Sequence, residues 1–267
     1  MMDEKNYIEK EAVGKPCWLY INDRPLEKFI TGYATLNVFG RTTLPIGASV
    51  NTDVPYDGGY ISSIKYKPRF LEVEYLLQAD SSMELYRQFE LLNKALQGEN
   101  IKIFYSDDDY FYIGAVTNIE EIKDQINRVV GHFTVTCTDV FKYSNDLRKI
   151  DRRHGTLNHA GLYSVLPEKI HLASPSGSTG GILKNETSGK KITILDAPAS
   201  NGDKTIVIDV KLGTITRGSE NLLPYLDIAS NLEDFEINNG DKISFMCKFY
   251  GSSTPRDFEV FYRDRRL

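Results

Sequence analysis

One tryptophan, three cysteines and four histidines stand in 267 residues, and each scarcity closes off a kind of chemistry. Cys17, Cys137 and Cys247 are odd in number and far apart, with none of the close spacings of zinc or redox sites. They read as small apolar side chains buried in a reduced compartment. His154 and His159 lie near each other but lack a third ligand at a useful spacing. No stretch approaches the roughly 20 apolar residues of a membrane-spanning helix. The start, Met-Met-Asp-Glu-Lys-Asn, has neither the basic opening nor the apolar run of a signal peptide, so folding in the cytoplasm is expected. Basic residues are not in excess either: 32 Lys and Arg stand against 37 Asp and Glu, a net charge of −5. That speaks against a surface built to neutralise nucleic-acid phosphates. A nucleophile elbow, a zinc-protease HExxH and a P-loop are all missing. Carboxylates do occur together, at Asp107 to Asp109 and at Glu120-Glu121, but glycoside hydrolysis needs two of them at a set separation across a cleft. Catalytic, cofactor and metal sites are therefore expected to be none.

What the chain has in quantity is tyrosine and phenylalanine, 16 and 13 residues, which favour strands. Strand-like runs fall at 17–21 and 33–39. Val54-Pro55-Tyr56-Asp57-Gly58-Gly59-Tyr60 predicts a tight turn, because glycine reaches positive φ at little cost. Strands follow at 61–66 and 70–77. In the second, Leu71, Val73 and Tyr75 alternate with Phe70, Glu72 and Glu74, giving one apolar face. Ser81-Ser82-Met83-Glu84 fits a capping box, and Leu85, Phe89, Leu92 and Leu96 recur at helical spacing, so a helix is predicted over 82–96. Gly98 is placed as its left-handed C-terminal cap. Residues 101–105 and 110–116 read as a hairpin, and 129–137 as a further strand.

From 144 to 168 the composition changes: Arg148, Lys149, Arg152 and Arg153 are followed by Gly, Asn and His. This sets the expected organisation: an N-terminal domain over 1–145, a linker over 146–168 and a C-terminal domain over 169–267. The second half shows short strands near 192–195, 205–210, 213–216, 242–249 and 258–262. Turns recur about every ten residues without a strong helix, which fits an antiparallel sandwich.

The hairpin carries the candidate site. Ile103, Tyr105, Phe111 and Tyr112 are more large side chains than a purely solvated hairpin needs. They either pack within their own domain or meet a neighbouring subunit. Its tip, Asp107-Asp108-Asp109, admits three readings: a calcium ligand set, a contact with a basic neighbour, or a solvated turn. These seven residues are the candidate subunit-interface hairpin.

The order of these features resembles the distal tail protein family of long-tailed bacterial viruses. The resemblance rests on the Pro55-Tyr56-Asp57-Gly58 turn, Arg69 opening the strand at 70–77, the helix over 82–96, and the strand running Gly131-His132-Phe133-Thr134-Val135-Thr136-Cys137-Thr138-Asp139-Val140-Phe141-Lys142-Tyr143. In the second half it rests on residues 185–194, on Ile206-Val207-Ile208-Asp209 followed by Gly213-Thr214-Ile215, and on Phe258 to Leu267 as the closing strand. Two positions depart from the pattern: Val140 stands where the family has proline, and Arg266 where it has a large aromatic or aliphatic residue.

The resemblance implies a mainly β chain. Its N-terminal β-sandwich would carry one α-helix and a projecting β-hairpin, and its C-terminal domain would be a galectin-like antiparallel β-sandwich. It implies a structural protein of the virion, assembled in the host bacterial cytoplasm, whose six copies form a homo-hexamer ring at the tail tip. Implied partners are the tail tube protein, the tail-associated lysin or baseplate hub and, in some members, receptor-binding proteins. Specific nucleic-acid or membrane binding is not implied. The basic cluster from Arg148 to Arg153 reads as solvated linker rather than a DNA-gripping surface, because DNA sliding through a ring would be trapped by strong phosphate contacts. An alternative reading is a carbohydrate-binding module that contacts host cell-wall glycan through the C-terminal sandwich, with Tyr225, Phe249, Tyr250 and Tyr262 as possible stacking rings. Fold analogy alone does not supply such a site.

Overall fold

The computed structural model describes residues 17–53, 57–120, 127–151, 156 and 163–267. Pro55, Tyr56, Glu121, Arg152, Arg153, His154 and His159 lie outside them. The chain divides into two compact units, residues 1–142 with Leu267 and residues 143–266.

The first unit is built from β1 (Leu19–Ile21), β2 (Arg24–Pro25), α1 (Leu26–Phe29), β3 (Tyr33–Phe39), β4 (Ile46–Asn51), β5 (Tyr60–Tyr66), β6 (Arg69–Gln78), α2 (Ser82–Leu96), β7 (Ile101–Tyr105), β8 (Tyr110–Ile119) and β9 (Arg128–Cys137). Its main sheet is antiparallel in the order β2-β1-β7-β8-β9-β6-β3. β8 joins its two halves, pairing with β7 through Phe111–Gly114 and with β9 from Ala115 onward. A side chain at Gly114 would strike the Thr136 carbonyl and the Val135 side chain, so only glycine lets β8 run this close to β9.

The expected alternation in β6 holds. Leu71, Val73, Tyr75 and Leu77 are buried, facing Phe133 and Val135 of β9 and the Leu85, Leu92 and Leu96 stripe of α2. Each such large apolar side chain contributes about 1.5–3 kcal/mol by leaving water. The Ser81 hydroxyl accepts from the Glu84 amide, so the predicted N-terminal cap is present. The far end differs from expectation. Gln97 leaves the helix in extended backbone, and Gly98 takes φ 135°, well outside the left-handed cap conformation.

The short strand β10 (Lys142–Ser144) begins at the last residue of the first unit's main stretch, and β21 (Arg265–Arg266) closes the second unit. Between them come β11 (Arg148–Asp151), β12 (Pro167–Ser174), β13 (Ser178–Asn185), β14 (Lys191–Ile194), β15 (Lys204–Asp209), β16 (Thr214–Arg217), β17 (Glu220–Asn221), β18 (Ile243–Phe249), β19 (Ser252–Pro255) and β20 (Phe258–Tyr262). Sheets ordered β11-β20-β12-β15-β16-β17 and β14-β13-β18-β19 enclose one core, which includes Ile170, Leu172, Leu183, Ile206, Ile208, Phe245 and Val260. This is the antiparallel sandwich that the regular turns predict. Part of the stretch read as linker is strand: Arg148–Asp151 pairs along β20.

Candidate assembly surface

Two hairpins of the first unit share a composition and differ in placement. The hairpin β7–β8, where the candidate interface residues lie, sits inside the main sheet, with β1 on one side and β9 on the other. Ile103, Tyr105 and Tyr112 are buried in the core of the unit, and Phe111 is buried as well. The large side chains that made this hairpin a candidate are accounted for by their own domain.

Its acidic tip is engaged too. Asp107 accepts two hydrogen bonds from Arg41, at 2.6 and 3.1 Å, and the guanidinium holds its carboxyl below the usual carboxylate range. The Cys17 thiol donates to the same carboxylate at 3.3 Å, and burial together with that carboxylate pushes the thiol pKa up. Asp108 pairs with Lys142 at 2.5 Å and accepts from the Tyr110 amide, while Asp109 is exposed. Among the described residues no group of three or more His, Cys, Asp and Glu is placed to hold a metal ion.

The second hairpin, β4–β5, was not singled out by the sequence beyond its second strand and its turn. Its strands form a two-stranded sheet of their own, off the main sheet. Ile46, Val50, Tyr60, Ile61, Ile64 and Tyr66 all stay between 48% and 64% exposed. An isolated two-stranded hairpin is at best marginally stable in water, and exposed apolar side chains gathered in one place mark an interaction surface. The clue in the sequence is weak: β-branched and aromatic residues without the polar alternation of a half-buried strand.

The base of this arm is fastened by two arginines. Arg69, only 2% exposed, donates to the carbonyls of Gly40, Thr43 and Val140 at 2.6, 2.8 and 3.2 Å, and its guanidinium lies 5.7 Å from the Tyr112 ring centre. Arg41, clamped by Asp107, lies 4.2 Å over the Tyr105 ring, and its carbonyl accepts from the Tyr112 hydroxyl at 3.1 Å. On the returning strand, the Lys67 amide donates to the Pro45 carbonyl at 2.8 Å. The candidate residues Tyr105, Asp107 and Tyr112 thus support the root of the arm from within the unit. Burial raises the Tyr112 phenol to about 12, so it remains a donor at neutral pH.

The remaining sequence candidates are dispersed. Arg148 pairs with Asp264 at 3.0 Å and Lys149 with Glu259 at 2.8 Å. Of the four aromatic residues considered for sugar stacking, Tyr262 is in the core, Tyr225 and Phe249 pack against it, and Tyr250 alone is largely exposed. Among the described residues, no helix is long and apolar enough to cross a membrane.

Comparison with known proteins gives a fold. No family model matches the chain, and no curated protein matches it. Solved structures do. The SPP1 Dit protein (gp 19.1), a hub adsorption apparatus of phages infecting Gram-positive bacteria, aligns with a TM-score of 0.73 and 19% identity over 95% of this chain and 100% of its own. A chain of the phage P2 baseplate in its activated conformation with calcium aligns at 0.52, with 11% identity over 92% of this chain and 98% of its own. A chain of the same baseplate with strontium gives 0.51 and 12% identity over 95% and 99%. The alignments run over nearly the whole of each chain, and the fold of this chain is that of a phage hub adsorption protein.

Proposed function

We propose that the chain is a non-enzymatic hub subunit at the tail tip of a long-tailed bacterial virus. Six copies close into a ring through their first units, and the ring joins the tail tube to the tail-associated lysin or baseplate and so serves host adsorption. The observation that carries this reading is the end-to-end match to SPP1 Dit, which spans both units rather than one common sandwich. The arm β4–β5 supplies an independent physical reason. A closed ring needs a contact in which two different patches of the same chain meet, and the arm offers exposed apolar residues and two strand edges that no described residue pairs with. The arm is therefore read as one part of the contact between copies, with the hairpin β7–β8 as the support beneath it.

Native mass spectrometry and negative-stain imaging of the purified chain test this. The expected result is a species of six subunits, or two stacked sixes, seen as a ring with a central opening. A chain that stays monomeric at high concentration and is not brought into rings by a tail partner would overturn it.

A further inference from the structure

The outer surface of the first unit differs in character between the two halves of the main sheet. β1 and β7 bury Leu19, Ile21, Ile101, Ile103 and Tyr105, so the alternating residues Trp18, Tyr20, Lys102 and Phe104 turn outward. There Tyr20 stacks on Phe104 at 4.4 Å. Lys102 Nζ lies 5.3 Å from the Phe104 ring centre and 4.8 Å from that of Phe111, and Lys28 Nζ lies 4.8 Å from the Trp18 ring centre. Asp23 pairs with Lys102 at 2.7 Å. Partly exposed aromatic rings crossed by cations are the composition that anchors protein interfaces.

The other half is acidic. β6 and β9 turn Leu71, Val73, Phe133 and Val135 into the same core, which leaves Glu72, Glu74, His132 and Thr134 outside. Glu72, Asn118, Glu120, His132 and Thr134 line an open groove of about 300 Å³. Glu74 and Glu120 both approach the His132 ring, at 3.6 and 2.8 Å. Exposed Phe39, Phe70 and Val130 lie on the same sheet face as Glu72 and His132, beside the groove.

We infer that neighbouring copies meet by these surfaces: the lysine-aromatic face of one, with Lys28, Lys102 and Trp18, seats on the acidic groove of the next, with Glu72 and Glu120. The inference rests on the ring reading above. Its basis is complementarity of charge within matching apolar surrounds, which sets partner orientation and register. Such a contact is head-to-tail, as a ring requires.

The test uses the full chain and two charge reversals, Lys28→Glu/Lys102→Glu and Glu72→Lys/Glu120→Lys, each checked for native folding by circular dichroism. Trp18 is the only tryptophan, so its emission reads this face directly. On assembly of the unmodified chain, Trp18 emission shifts to the blue, and dilution to monomer reverses it. Each reversal alone weakens assembly at least about tenfold. A one-to-one mixture of the two restores rings, because each altered face then meets an altered partner. Three results would overturn the inference while leaving the ring intact: Trp18 emission unchanged between ring and monomer, reversals that assemble like the unmodified chain, or a mixture that fails to recover. An unmodified chain that forms no ring under any condition would instead remove the reading on which the inference stands. If a reversal fails to fold, Lys28→Gln and Glu120→Gln replace it, and the Trp18 shift is read independently on the unmodified chain.

Discussion

Two hairpins of one unit, each rich in large apolar and aromatic residues, end up in opposite environments. β7–β8 lies between sheet neighbours, and its Ile103, Tyr105 and Tyr112 are sealed in the core. Among the described residues β4–β5 pairs only with itself, and it holds Ile61 and Ile64 more than half exposed. Composition alone does not separate the two cases. The difference lies in whether strands on either side complete the sheet. A hairpin that the chain itself completes is core; one left incomplete keeps its apolar side chains exposed.

The sharpest way to break this contrast is in the buried hairpin. Tyr112→Ala removes a fully buried ring and the hydroxyl that holds the Arg41 carbonyl, and should cost about 3–5 kcal/mol in urea unfolding of the full chain. A loss below about 1 kcal/mol would mean the hairpin is not core. Arg69→Met comes next. It keeps bulk but strips the carbonyls of Gly40, Thr43 and Val140 of their donor, at an expected cost of about 2–4 kcal/mol. Protease cleavage within 40–68 should accelerate in the same variant, and an unchanged pattern would show that the arm root does not depend on Arg69.

Asp107→Asn is smaller, under about 1 kcal/mol, because the carboxylate is half exposed and solvent screens the pair. Its sign with pH is fixed. The folded-state value lies below the ordinary 3.8, so the stabilisation is fully present above that value and disappears as pH falls through the lower one. Native and variant unfolding curves should differ at neutral pH and converge in acid; a difference that persists there would rule the ion pair out as the cause. Smallest in stability is Ile64→Ser on the arm, expected within about 0.5 kcal/mol of the native chain, since the side chain is already in water. Its effect belongs to assembly, which it should weaken. Loss of stability without loss of ring formation would reverse the assignment of the two hairpins.

Much of the fold could be read from the residues because it follows from burial. The 82–96 helix carries both an N-cap and an apolar stripe, and its observed bounds are Ser82–Leu96. The period-two pattern of 70–77 marks β6 because one face meets the core. The first strand of the arm, Ile46–Asn51, went unread for the complementary reason. It buries nothing in its own unit, so no alternation betrays it. Arg69 could be seen opening its strand, but not as a cation held by backbone carbonyls, since those come from residues up to 71 positions away. The positive φ of Gly98 was legible but its value was not, because positive φ has more than one use and only the tertiary path selects among them.

Arg41 joins two jobs in one residue. Its side chain is locked on the β7–β8 tip by Asp107, while its carbonyl is held by the Tyr112 hydroxyl. Backbone ordering normally costs about 1–2 kcal/mol per residue when a segment docks. At the arm root that ordering is already made within the chain, so in the proposed ring a neighbouring copy would meet a surface whose position is already chosen, and more of the contact energy would remain as affinity.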